Sequence, residues 1–352
     1  MGKRIAVVGT GALGGYVGGY LAHHGEDVTL IDIWPEHIEA IRARGLELDG
    51  VTPEETFTVT RAKTMHITEL QRLAKERPID IAFVAVKSYD TEWATMLIKP
   101  YLAADGYVVS LQNCLNEEKI ARIVGWGKTV GVVSSIISVN LYEPGRIRRT
   151  AEKGGGKHTV FRVGEVNGVV SARVRELVEL FSAIDSAKPT TNLWGERWTK
   201  LTQNGMRNGV SAATGLTGSQ CDNNTALRRF AIQLGGEAIK VGRALGYSLE
   251  KLGALDPDRL VLAADGNGDA LAEIEALMMA RTKSNPRAGI QRPSMAQDMH
   301  KGRRTEIQFM NGYIAEQGAA VGIPAPSHAR LTEVVTRVER GELPQSPANL
   351  GG

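Results

Sequence analysis

The apolar run Ile5-Ala6-Val7-Val8 feeds directly into Gly9-Thr10-Gly11-Ala12-Leu13-Gly14, and a helical pattern over Tyr16–His24 follows at once. Few features restrict a chain as strongly. A buried strand that ends in G-x-G-x-x-G and opens a helix is the first half of a dinucleotide-binding βαβ unit. Gly9 permits the tight turn, Gly11 lets the backbone approach a pyrophosphate, and Gly14 lets helix and strand pack closely. The start of the helix offers free N–H groups to the phosphates. Gly9, Thr10, Gly11, Ala12, Leu13 and Gly14 are therefore the candidate cofactor-binding turn. A second apolar run, Val28–Ile31, ends at Asp32, 18 residues after Gly14. A carboxylate there accepts the ribose hydroxyls of the adenosine and repels the 2′-phosphate of NADP. Ile33, Trp34 and Pro35 bring no arginine to it, and Arg42 and Arg44 lie far along the next helical stretch. The expectation is NAD(H) in preference to NADP(H).

Further strand patterns fall at Ile79–Val86, Tyr107–Leu111, Val130–Ile136 and Thr159–Gly164, with helical patterns such as His37–Arg44 and Thr68–Lys75 between them. This alternation predicts a parallel sheet covered on both faces. Beyond about residue 170 the patterns read as helices alone: Ala172–Ile184, Glu196–Asn208, Thr225–Leu245, Ala270–Arg281, Ser294–Gln317 and Ala329–Arg340. The predicted division is a dinucleotide-binding domain over 1–188, a helical substrate domain over 189–341 and a loose tail over 342–352.

At 352 residues, 42% hydrophobic and 23% charged, the chain has the make-up of a two-domain globular protein. Its 42 basic and 39 acidic side chains leave only +3, which speaks against a nucleic-acid surface. There is no apolar run of about 18 residues to span a membrane. Two distant cysteines, Cys114 and Cys221, make no zinc motif. Asp265–Asp269 begins like a calcium loop, but Ala270 and Ala276 stand where Gly and Glu belong. A cytoplasmic protein without metal is expected.

Five spaced motifs carry a resemblance over roughly residues 3–340: Gly9–Gly14 with Tyr16-Val17-Gly18; Val86-Lys87-Ser88-Tyr89; Leu111-Gln112-Asn113; Lys200-Leu201-Thr202-Gln203-Asn204 with Asn208; and Ser294-Met295-Ala296-Gln297-Asp298 with Arg304-Thr305-Glu306-Ile307 and Asn311-Gly312. The closing Gly322–Pro326 fits too. On these the chain resembles the ketopantoate reductase (2-dehydropantoate 2-reductase) family. The resemblance implies an α/β N-terminal Rossmann domain plus an all-helical C-terminal domain like that of 6-phosphogluconate dehydrogenase. It also implies hydride transfer from a nicotinamide to the ketone of a 2-oxo acid.

Hydride addition builds negative charge on the ketone oxygen, so a proton donor must reach it. By resemblance Lys200 is that acid and Glu306 acts beside it on substrate polar groups. Asn113, Asn204, Asn208 and Ser294 would bind substrate, and Lys87 and Asn113 would lie near the cofactor. The spacing of Lys200, Asn204 and Asn208 puts them on one face of a predicted helix. Ser294, Asp298, Gly302 and Glu306, at four-residue steps, do the same on another.

Cys114 and Asn116 depart from the family's glycines, Arg207 from an apolar residue, and Asp32 from the residues of NADP-using members; residues 251–292 look long. Three readings follow. The first is a ketopantoate reductase, making pantoate from 2-dehydropantoate. The second is an NAD-dependent (R)-2-hydroxy-acid dehydrogenase acting on another, bulkier or aromatic 2-oxo acid, which the departures at Asp32, Cys114 and Arg207 favour. The third is a non-catalytic NAD-binding protein. The partner expected is a small 2-oxo or 2-hydroxy acid, with a homodimer admissible.

Overall fold

A computed structural model describes residues 2–284 and 292–351. The chain divides into two compact units, Met1–Leu193 and Trp194–Gly352.

In the first unit the elements are β1 (Arg4–Val8), α1 (Ala12–His23), β2 (Asp27–Asp32), α2 (Pro35–Arg44), β3 (Leu46–Asp49), β4 (Phe57–Val59), β5 (Lys63–His66), β6 (Ile79–Val84), α3 (Thr91–Ile98), β7 (Leu102–Ser110), α4 (Glu117–Val124), β8 (Thr129–Ser134), β9 (Val139–Glu143), β10 (Arg146–Arg149), β11 (Phe161–Glu165), α5 (Ala172–Ser182) and β12 (Ala187–Pro189). Eight strands form one sheet in the order β12-β11-β8-β7-β6-β1-β2-β5. All its pairs are parallel except β8 with β11. The strand order reverses between β1 and β6, the crevice where an open α/β sheet binds its ligand. Apolar residues cover both faces: Ile5 and Val7 join one core cluster, Ala6 and Val8 the other. That two-sided burial is why these strands read as continuous apolar runs.

A second sheet, β4-β3-β10-β9, was not expected from the sequence. Its strands alternate: Leu46, Leu48 and Ile147 are buried, while Glu47 faces Arg146 at 2.6 Å and Asp49 faces Arg148 at 3.2 Å. Helix α1 touches both sheets, and its residues Gly14–Ala22 are all buried. The close approach needs glycine. A Cβ at Gly18 would lie 2.6 Å from Leu30 Cδ2, and one at Gly19 would lie 3.0 Å from Leu46 and Leu48. A buried ion pair closes the unit. Arg149 Nη2 meets Asp185 Oδ2 at 2.5 Å, and Asp185 Oδ1 accepts from the Gly154 and Ser186 N–H groups.

Several expectations are corrected here. The helical pattern over Thr68–Lys75 is met by a 3-10 helix over Ile67–Lys75. The strand after Thr129 stops at Ser134, and the exposed Ile136 takes a φ of 55°. Lys188 and Pro189, on either side of the expected domain division, both belong to the sheet's edge strand β12.

The second unit carries α6 (Leu193–Gly205, which starts at the boundary), α7 (Asn208–Thr214), α8 (Gly218–Asn223), α9 (Thr225–Ala244), α10 (Pro257–Ala264), α11 (Gly268–Ser284), α12 (Ser294–His300), α13 (Tyr313–Ala320) and α14 (Pro326–Glu339). No strand was expected there, and only an isolated bridge, Leu252 with Leu255, is found among the described residues. The predicted helix over 196–208 is two helices, broken at Met206-Arg207. The predicted helix over 294–317 also breaks. It stops at His300, turns at Gly302 (φ 61°), and resumes through a π-helix at Gln308–Gly312. Of the long-looking segment 251–292, residues 285–291 lie outside the described residues. The tail expected to be loose is tied to α7. Gln345 Nε2 donates to the Ala212 carbonyl at 2.7 Å, the Ser346 N–H to Ala213 at 3.1 Å, and Leu350 is buried.

Candidate active site

The glycine turn sits where β1 meets β6. A Cβ at Gly9 (φ 92°) would lie 2.8 Å from Val86, and one at Gly14 would lie 2.1 Å from the Gly9 carbonyl oxygen. Gly11 is different: a Cβ there meets nothing within 4 Å. Two glycines are thus dictated by the chain's own packing, and the third faces open space at the start of α1. That helix start has no side-chain cap and no acidic residue in its first turn. Such a cradle fits the pyrophosphate of a dinucleotide.

Asp32 braces this turn. Its Oδ2 accepts from the Thr10 N–H at 2.7 Å and the Thr10 hydroxyl at 3.0 Å, and its Oδ1 accepts from the Trp34 N–H at 3.0 Å. Arg42 is paired with Glu39 and Glu69, and Arg44 with Glu47, so both cations already have carboxylate partners.

Lys87 and Asn113 occupy the turns after β6 and β7. The two turns are cross-linked by residues to which the sequence assigns no role. Gln112 Nε2 donates to the Val86 carbonyl at 2.8 Å and to Thr91 Oγ1 at 2.9 Å. The buried Asn116 donates through Nδ2 to the Asn113 carbonyl at 2.8 Å and to Ser88 Oγ at 3.1 Å. Cys114 between them has a φ of 63°, the left-handed region that a glycine takes without strain.

In the second unit Lys200 and Asn204 share α6. Asn208 does not continue their face; it opens α7. Helix α6 is anchored by Trp198, fully buried, whose Nε1–H donates to the Ala238 carbonyl of α9 at 2.8 Å. The break after α6 is held by Asn311, whose Nδ2 donates to the Gly205 carbonyl at 3.0 Å and reaches His328 Nδ1 at 3.0 Å. The α7 end brings two predicted substrate residues together. Asn208 Nδ2 donates to Ser294 Oγ at 3.3 Å, across 86 positions of sequence. Glu306 is buried but lies beyond the α12 break, so it does not share one helix face with Ser294, Asp298 and Gly302. Its neighbour Thr305 is fixed by Glu339, which accepts from both the Thr305 N–H and hydroxyl. Arg207 is bound to the buried Asp222 at 2.7 Å, and burial pushes the nearby Cys221 thiol up. Among the described residues no cluster of His, Cys, Asp and Glu could hold a metal, and no helix is long and apolar enough to cross a membrane.

A family model for ketopantoate reductase PanE/ApbA matches residues 5–161, and one for its C-terminal part matches 192–339. The chain is 30% identical to a 2-dehydropantoate 2-reductase of Pyrococcus horikoshii over 96% of its own length and 97% of that protein's. The chain belongs to the ketopantoate reductase family. A solved PanE/ApbA family ketopantoate reductase from Ralstonia eutropha JMP134 is 26% identical and superposes with a TM-score of 0.77, covering 96% of this chain and 99% of that one. A D-mandelate dehydrogenase solved with NADH and anilino(oxo)acetate shares the fold, at 21% identity and a TM-score of 0.78, over 96% of this chain and 98% of that one. As a member of this family the chain is a pyridine-nucleotide-dependent oxidoreductase, not a non-catalytic binding protein.

Proposed function

We propose that this ketopantoate reductase family member reduces 2-dehydropantoate to pantoate at the expense of NADH. The observation that carries the reading is the match to family models in both units, together with full-length identity to a protein named for that reaction. When bound, the nicotinamide supplies a hydride to the ketone carbon. Charge then builds on the ketone oxygen, and Lys200 donates the proton that completes the 2-hydroxy acid. Asn204, Asn208 and Ser294 hold substrate oxygens, and the hydrogen bond from Asn208 to Ser294 supports their acting together. Glu306 takes the substrate's terminal hydroxyl. Gly9–Gly14 hold the pyrophosphate, Asp32 the adenosine ribose, and Lys87 and Asn113 the nicotinamide end. Preference for NAD(H) rests on the negative charge of Asp32 and on the engagement of Arg42 and Arg44 by carboxylates. A cytoplasmic homodimer is the proposed form.

A larger or aromatic 2-oxo acid is not favoured as substrate. Arg207 is consumed by Asp222, and Cys114 keeps a glycine-like backbone, so neither departure argues for a reshaped pocket. Steady-state kinetics on 2-dehydropantoate, a branched 2-oxo acid and phenylglyoxylate, each with NADH and NADPH, test the proposal. We expect 2-dehydropantoate with NADH to give the highest kcat/KM, by at least tenfold over NADPH, which is about 1.4 kcal/mol. Superior turnover of phenylglyoxylate overturns the substrate assignment, and equal use of NADPH overturns the role given to Asp32.

A further inference from the structure

The buried His37 of α2 is 1% exposed and makes two hydrogen bonds that join distant parts of the first unit. Its Nδ1 faces the Gly145 N–H at 2.9 Å, in the turn between β9 and β10. Its Nε2 faces the Thr10 carbonyl, inside the glycine turn, at 2.9 Å. The roles follow from the partners. The Gly145 N–H is a donor only, so Nδ1 accepts. The ring hydrogen then sits on Nε2 and is donated to Thr10. The Trp34 ring lies against the imidazole at 5.7 Å and 17°, which holds its plane.

The Thr10 carbonyl belongs to the same planar unit as the Gly11 N–H, and in a trans peptide the two point in opposite directions. A donor that pins the Thr10 oxygen therefore aims the Gly11 N–H the other way. The preceding peptide plane is pinned as well, because Asp32 accepts the Thr10 N–H at 2.7 Å. Gly11 is the one glycine of the turn whose Cβ direction is open.

We infer that His37 is a positioning residue for the dinucleotide: its Nε2–H locks the Thr10–Gly11 peptide so that the Gly11 N–H is presented to the pyrophosphate, and the turn of the second sheet selects the tautomer that does this. Pre-set backbone donors bind an anion without the cost of ordering them at the moment of binding. The second sheet thereby acquires a part in cofactor affinity, although none of its strands belongs to the dinucleotide-binding sheet.

The inference rests on the cofactor reading above, and the full chain tests the two separately. Binding of NADH and NADPH to the native protein is measured first, by quenching of protein fluorescence. The dissociation constant, the cofactor KM, kcat and Tm are then compared for His37→Gln, His37→Asn and His37→Phe. Gln carries an N–H donor at the position of Nε2. Asn keeps an acceptor near Nδ1 but has no donor that reaches Thr10. We expect His37→Asn and His37→Phe to raise the NADH dissociation constant about five- to tenfold, the weight of one hydrogen bond. We expect kcat at saturating NADH to change less than twofold, and His37→Gln to stay within about twofold of native affinity. A folded His37→Asn or His37→Phe protein with native NADH affinity overturns the inference. So does a His37→Gln protein that loses tenfold, which also decides the matter if the other variants fail to fold. A native protein that binds neither nucleotide removes the cofactor reading itself, and the role of His37 with it.

Discussion

Cys114 holds a backbone that glycine adopts freely: its φ is 63° and its side chain is buried. The left-handed region costs an ordinary residue about 1–2 kcal/mol, while burying a small apolar side chain returns an amount of similar size. The turn after β7 thus survives the loss of the family's glycine, and Asn116, the other departure there, fastens it. Cys114→Gly should leave stability within about 1 kcal/mol of native, because relief of strain and loss of contact offset each other. Cys114→Val should cost about 1–2 kcal/mol more, since a β-branched side chain fits that region worst. Urea unfolding of the two variants checks the order, and a valine variant as stable as the glycine variant would contradict the strain argument. Lys200 is the other residue to isolate. Lys200→Ala should lower turnover about a hundredfold or more, the usual weight of a general acid, with NADH affinity unchanged. Near-native turnover would remove it from the mechanism. At this scale the glycine turn was legible as a turn, because its glycines directly follow a strand. What Asp32, His37 and Asn116 hold was not, because Thr10, Gly145 and Ser88 lie 22, 108 and 28 positions from them in sequence.

Among elements, β1, β2, β6, β7 and β8 were legible as strands because burial on both faces makes each an apolar run. The second sheet was not. Its strands are three to five residues long, and charges such as Glu47, Asp49, Arg146 and Arg148 find partners on the neighbouring strand. The breaks after α6 and α12 were hidden for another reason: the four-residue spacings Lys200-Asn204-Asn208 and Ser294-Asp298-Gly302-Glu306 run on across them, and what stops α6 is tertiary. Asn311 and His328 supply that stop for α6. His328 Nε2 donates to the Leu234 carbonyl at 2.8 Å, so Nδ1 must accept from Asn311, and both N–H groups of Asn311 are used. The arrangement needs a neutral imidazole. Burial pushes the His328 pKa down from 6.5 to about 4, with the Leu234 carbonyl opposing. The unfolded chain therefore binds this proton at a higher pH than the folded one does. The contribution is complete above pH 6.5, shrinks as the pH falls, and stops changing below about 4. At 1.36 kcal/mol per unit the loss over that window is about 3 kcal/mol. Urea midpoints for the native protein should fall across it, and His328→Gln should be less stable at neutral pH but flatter below. A native-like slope in that variant would assign the acid sensitivity elsewhere.

Over the whole molecule, the residues assigned to the cofactor, Gly9–Gly14, Asp32, Lys87 and Asn113, all fall in the unit Met1–Leu193, and Lys200, Asn204, Asn208, Ser294 and Glu306 all fall in Trp194–Gly352. The division into a nucleotide-binding half and a helical half was legible because the texture of the chain changes with it; the extent of the first unit was less so, because its last strand, β12, is only three residues long. This separation makes a thermodynamic prediction that needs no turnover. Cofactor alone, without any 2-oxo acid, should stabilise the nucleotide-binding unit by mass action. At a hundred times its dissociation constant the gain is about 2.7 kcal/mol, and a unit of this size moves about 2–4 °C per kcal/mol, so NADH should raise its Tm by about 5–11 °C. NADPH at the same concentration, binding a decade more weakly because of Asp32, should give about 1.3 kcal/mol less, or about 3–5 °C less. The acid alone should leave this unit's transition where it was, since every residue assigned to it, apart from Asn113, belongs to the other unit. Scanning calorimetry with each ligand separately reads all three. A shift produced by 2-dehydropantoate without NADH would put substrate determinants in the first unit, and equal shifts from the two nucleotides would show that Asp32 serves to brace the turn rather than to choose the cofactor.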